Sequence, residues 1–80
     1  MTFTINTKFD VGDEVYIADS YYEYYASSKP YVITRVHIKS DGNKTHITYD
    51  VEQDGFRDIV TEGLVFQTYE ECTKWCKNHN

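Results

Sequence analysis

The chain is predicted to fold as a small, mainly β domain: an antiparallel barrel of five or six short strands with one C-terminal α-helix. Three observations predict this. Apolar and polar residues alternate in several short runs, the period of a half-buried strand. Turn signals, Gly12-Asp13, Asp41-Gly42 and Asp54-Gly55, separate the runs. After Thr68 the apolar period becomes helical. The 80 residues are read as one domain, 1–80, with a capping helix over 69–78. A chain this short buries only about 60% of its unfolded surface. Eight Tyr, four Phe and one Trp offset that shortage, because each aromatic ring buries a large area.

Taken in order, Phe3 and Ile5 alternate with Thr2, Thr4 and Asn6 in a short first strand. Gly12 gives the next turn its backbone freedom, and Asp13 can hydrogen-bond locally there. From it, Glu14 to Asp19 runs as a strand with Val15 and Ile17 on one face. Residues 20–30 read as a long loop. Tyr31 to Lys39 is a strand with Val32, Val36 and Ile38 on one face and Arg35, His37 and Lys39 on the other. Ile33 breaks this alternation, which predicts a bulge. Ser40-Asp41-Gly42-Asn43 is a hairpin signal. Thr45 to Glu52 then alternates, with Ile47, Tyr49 and Val51 inward. A turn at Asp41-Gly42 would set Val36 opposite Ile47, Thr34 opposite Tyr49 and His37 opposite His46. A one-residue slip would break the apolar face.

Gln53-Asp54-Gly55 is the next turn. A three-residue loop there, with Gly55 left-handed, would set Tyr49 opposite Ile59. Ile59–Thr61 and Leu64–Phe66 read as two short strands. Thr68 followed by Glu71 is a capping box. Tyr69, Cys72, Trp75 and Cys76 share one helical face, so the helix is expected to cover one end of the barrel with Trp75 as its anchor.

The net charge is −5, distributed unevenly. Residues 1–25 carry five acids against Lys8, and residues 50–71 carry seven acids against Arg57. Between them, Lys29, Arg35, Lys39 and Lys44 oppose Asp41 alone. An acidic chain repels phosphate, which disfavours general nucleic-acid binding. The opening residues have neither a basic segment nor an apolar run of signal-peptide type, and no apolar run approaches the ~20 residues of a membrane helix. A cytoplasmic location without membrane contact is expected. Two cysteines do not make a disulfide framework.

The order Phe9-Asp-Val-Gly-Asp-Glu-Val-Tyr-Ile, an aromatic loop, Tyr31-Val-Ile-Thr-Arg-Val, Thr48-Tyr-Asp-Val51 and Glu62-Gly-Leu-Val-Phe66-Gln-Thr68-Tyr-Glu-Glu71 resembles the small Src-homology-3-like barrel proteins of phages and mobile elements of low-GC bacteria. The resemblance covers most of the chain and rests on turns and a helix start. Some phage proteins of this size inhibit host enzymes, including CRISPR nucleases. The resemblance therefore implies a comparable inhibitory role, and it assigns no residues to it.

Candidate partner-binding residues come from the sequence itself. The loop Asp19-Ser20-Tyr21-Tyr22-Glu23-Tyr24-Tyr25 concentrates tyrosines beside acids, the composition of a recognition surface. With Asp50 and Asp54 it forms the candidate site: Asp19, Tyr21, Tyr22, Glu23, Tyr24, Tyr25, Asp50 and Asp54. Carboxylates here, with Asp10, Asp13, Glu14, Glu52 and Asp58, could imitate phosphates and occupy a basic channel on a nucleic-acid enzyme. Cys72, Cys76 and His79 fall at i, i+4 and i+7, yet structural zinc normally takes four ligands, so buried thiols are the expected reading and no metal or cofactor is assigned. His37 and His46 read as surface strand residues. No phosphate loop or activated nucleophile appears, so no enzyme activity is expected. The expected function is a protein-binding module, in its sharper form a phage-type inhibitor of a host or defence enzyme, acting as a monomer or homodimer. The alternatives are weak direct nucleic-acid binding through Lys29, Arg35, Lys39, Lys44 and Tyr31, and a structural role in a phage particle.

Overall fold

The computed structural model describes residues 7–80, so the expected strand at Phe3 and Ile5 lies outside the described residues. The elements are β1 (Glu14–Ser20), β2 (Tyr24–Ala26), β3 (Tyr31–Asp41), β4 (Lys44–Gln53), β5 (Phe56–Thr61), a 3₁₀ turn (Glu62–Leu64), β6 (Val65–Phe66) and α1 (Tyr69–His79). All strand pairs are antiparallel. The strand order is β2-β1-β3-β4-β5, with β6 added to β1. The protein is mainly β, a six-stranded antiparallel sheet with one C-terminal helix, and among the described residues the sheet does not close into the expected barrel.

Local chemistry explains the turns. The Gly12 N–H donates to the Ile33 carbonyl (2.8 Å), and the Asp13 carboxylate accepts from the Asp10 N–H (2.8 Å), tying the turn into β1 to β3. The β3–β4 turn is Gly42-Asn43 rather than Asp41-Gly42, with Asp41 opposite Lys44. Gly42 has φ 62°, which suits the first central position of a type II′ turn. The pairing is therefore two residues away from the expected one: Val36 faces Tyr49, Ile38 faces Ile47, and His37 faces Thr48 instead of His46. Two residues is the pleat period, so the faces are unchanged. The bulge expected near Ile33 lies between Ile33 and Arg35. It brings Ile33 into the core, while Val32 is on the exposed side.

Asp54 and Gly55 form the β4–β5 turn, with φ 50° and 84°, the two positive values a type I′ turn requires. The loop is thus two residues long, and Tyr49 faces Val60 while Ile59 points to solvent. The expected loop over 20–30 also contains a strand, because Tyr24–Ala26 pairs back onto Ala18–Ser20. Ser27 extends that pairing: its N–H donates to the Ile17 carbonyl (3.0 Å) and its Oγ accepts from the Ile17 N–H (3.1 Å).

Two apolar clusters hold these elements. Val15, Ile17, Ile33, Tyr49, Val51, Val60 and Val65 fill the inner face of the sheet. Ala18, Cys72 and Cys76 form the second cluster, with Tyr16, Tyr24, Leu64, Phe66 and Trp75 packed against it. Alternation along β1 puts Val15 and Ile17 in the first cluster and Tyr16 and Ala18 in the second. The helix therefore lies on the opposite face of β1 rather than over an open barrel end. Its start follows the sequence: the Thr68 Oγ accepts from the Glu71 N–H (3.2 Å), the hydroxyl half of the expected capping box.

Candidate functional site

The tyrosine-rich segment is the tip of the β1–β2 hairpin, closed by a hydrogen bond from the Tyr21 N–H to the Glu23 carbonyl (3.2 Å). Tyr21 and Tyr22 are 77% and 92% exposed, and their rings meet edge to face with centroids 4.6 Å apart. With Glu23 and Tyr25 they line a shallow groove of about 440 Å³. Asp19 is opposite Tyr25 across the hairpin. Burial, then the negative charges of Asp19 and Asp58, push the Tyr31 phenol above its ordinary value. Among the described residues, Asp19, Glu23 and Asp58 make no ion pair.

Tyr24 belongs to the support of this tip and not to the groove. Its ring meets Trp75 edge to face at 4.9 Å. Its backbone is held by the Asn80 carboxamide: the Tyr24 N–H donates to Asn80 Oδ1 (2.6 Å), and Asn80 Nδ2 donates to the Tyr24 carbonyl (2.8 Å). The end of the chain thus fixes the base of the hairpin, a contact that joins residues 56 apart and has no signal in local sequence.

The other expected site residues lie elsewhere. Asp54 occupies the β4–β5 turn, its carboxylate 3.8 Å from Lys29 Nζ, with both side chains exposed. Asp50 is on the outer face of β4, where its Oδ1 lies 3.0 Å from His37 Nε2. Nearby, Arg57 Nε is 4.0 Å from Glu52 Oε2. Asp50, Glu52, Arg57 and Asp58 line a second groove of about 560 Å³ with Thr34, Arg35 and Ile59. Its walls carry both signs of charge, so this face is not the continuous negative surface expected from composition.

Cys72 and Cys76 are buried beneath the helix. Burial, then the nearby Cys76, push the Cys72 thiol up to about 12. His79 stacks on Trp75 with centroids 4.0 Å apart, and its Nδ1 lies 2.8 Å from the Trp75 carbonyl. Among the described residues, no group of three or more His, Cys, Asp or Glu is placed to hold a metal ion, and no helix is long and apolar enough to cross a membrane.

The fold and this surface together describe a small mainly β chain with an aromatic hairpin tip. No protein-family model matches the chain, and neither a curated protein nor a solved structure matches it.

Proposed function

We propose that this chain is a non-enzymatic protein-binding module of Src-homology-3-like type that contacts its partner through Tyr21, Tyr22, Glu23 and Tyr25. The observation that carries this reading is the exposure of Tyr21 and Tyr22 on a hairpin whose base is held by Asn80 and Trp75. Rigid tyrosines supply contact area at a low entropic cost, and a braced base spares the partner the cost of ordering the loop. Asp19 and Glu23, which make no ion pair among the described residues, select a basic partner surface by charge. A host or defence enzyme with a basic nucleic-acid channel has that chemistry, and occupying the channel would inhibit it.

The test is a pull-down from bacterial lysate with wild type and a Tyr21→Ala, Tyr22→Ala variant, each with and without nuclease. A protein captured by wild type, retained after nuclease and lost with the variant supports the reading. Capture that survives the double substitution, or that disappears with nuclease, overturns it.

A further inference from the structure

We infer that β5 is a self-complementary edge through which two copies of this chain pair, in one register, and that Asp58 restrains the pairing. β5 ends the strand order, so one side of it has no strand partner among the described residues. In a two-residue hairpin the closing pair, here Gln53 and Phe56, is hydrogen-bonded, and bonded and non-bonded pairs then alternate. Phe56, Asp58 and Val60 therefore spend their backbone groups on β4, and those of Arg57, Ile59 and Thr61 face away. One observed bond confirms the phase: the Ile59 N–H donates to the Asp58 carboxylate (2.8 Å) instead of to β4. Beside this open row, the Ile59 side chain is 67% exposed. No proline interrupts the strand, and its edge protection is limited to the charges of Arg57 and Asp58.

The occupant is a second copy of β5, and charge selects its register. Antiparallel pairing must set the outward groups of Arg57, Ile59 and Thr61 against their counterparts. Centring the pair on Asp58 opposes two carboxylates, and centring it on Val60 sets Asp58 against Glu62. Like charges directly opposite are destabilising. Centring it on Ile59 sets Arg57 opposite Thr61, Asp58 opposite Val60 and the two Ile59 side chains against each other, with no like-charge pair. The interface is isologous, as a two-fold dimer requires. It is a single short strand edge, which places it among weak interfaces. The Asp58–Ile59 bond must also break before Ile59 can pair, so Asp58 weakens the dimer further.

Sedimentation equilibrium over a concentration series tests this, using wild type, Asp58→Ala and Ile59→Lys. Both side chains are exposed, so the variants are expected to fold. A weak wild-type dimer is expected, about a hundredfold tighter in Asp58→Ala, since each of the two copies gives up one bond to a charged group, and absent in Ile59→Lys. Amide resonances followed on dilution identify the surface: those of Arg57, Ile59 and Thr61 should shift more than those of Phe56, Asp58 and Val60. A monomeric Asp58→Ala protein at the highest attainable concentration overturns the proposal. So does a dimer whose shifts fall on Tyr21 and Tyr22 instead.

Discussion

The Tyr49 hydroxyl donates a 2.6 Å hydrogen bond to Glu62, from a ring that is fully buried in the sheet core. The same hydroxyl accepts from the Phe9 N–H (3.3 Å), and the same Glu62 oxygen accepts from the Lys8 N–H (3.2 Å). One phenol thereby connects β4, the 3₁₀ turn and the segment that leads into β1. Phe9 adds an edge-to-face contact to the Tyr49 ring with centroids 5.9 Å apart.

Tyr49→Phe keeps the ring packing and removes this junction. Bonds to a charged acceptor contribute about 1.5–3 kcal/mol, so a loss near 2 kcal/mol is expected. The measurement is the urea midpoint, with an unchanged slope showing that the fold is retained. A midpoint equal to wild type would mean that water replaces the hydroxyl without cost.

Stability should fall in alkali. Burial and the bond to Glu62 push Tyr49 from 10.0 up to about 12, and Cys72 rises from 9.0 to about 12. Folding favours the protonated form of both groups. Their contribution is therefore complete below about pH 9 and is lost as pH rises toward 12. Urea midpoints across this window should decline in wild type, and less steeply in Tyr49→Phe.

The buried Cys72 should resist thiol reagents. Its raised value leaves little thiolate near neutral pH, and the helix covers the sulfur. Alkylation followed by mass spectrometry should show no labelling of Cys72 in the folded chain and rapid labelling in urea. Labelling in the native state at the rate of a free thiol would contradict this packing.

Asn80→Ala should loosen the hairpin tip without unfolding the sheet. It removes both bonds to the Tyr24 backbone. Faster amide exchange at Tyr24 is expected, with the sheet amides unchanged. Uniformly faster exchange would show instead that Asn80 supports the whole fold.

Much of this architecture was legible in the residues, because period and turn chemistry act locally. Ile47, Tyr49 and Val51 alternate inward as expected, the bulge lies beside Ile33, and Thr68 caps the helix. The β3–β4 register was not legible, since pairings two residues apart bury the same faces, and only the position of Gly42 within the turn decides between them. β2 was hidden because Tyr24-Tyr25-Ala26 shows no alternation of polarity. The docking of the helix had one overlooked signal: Ile17 and Ala18 are consecutive apolar residues, the mark of a strand covered on both sides. Of the candidate site, the composition of Tyr21–Tyr25 was readable. The inward turn of Tyr24 and the separation of Asp50 from the tip depend on contacts distant in sequence.

The double coverage of β1 bears on cooperativity. Its Val15 and Ile17 side chains anchor the sheet core, and its Tyr16 and Ala18 side chains pack under the helix. Neither layer can detach while the other stays whole, because both are cut from the same seven residues. A calorimetric trace of this chain should therefore show one peak, and damage at Ala18, beneath the helix, should be felt at Val51 on the far side of the strand.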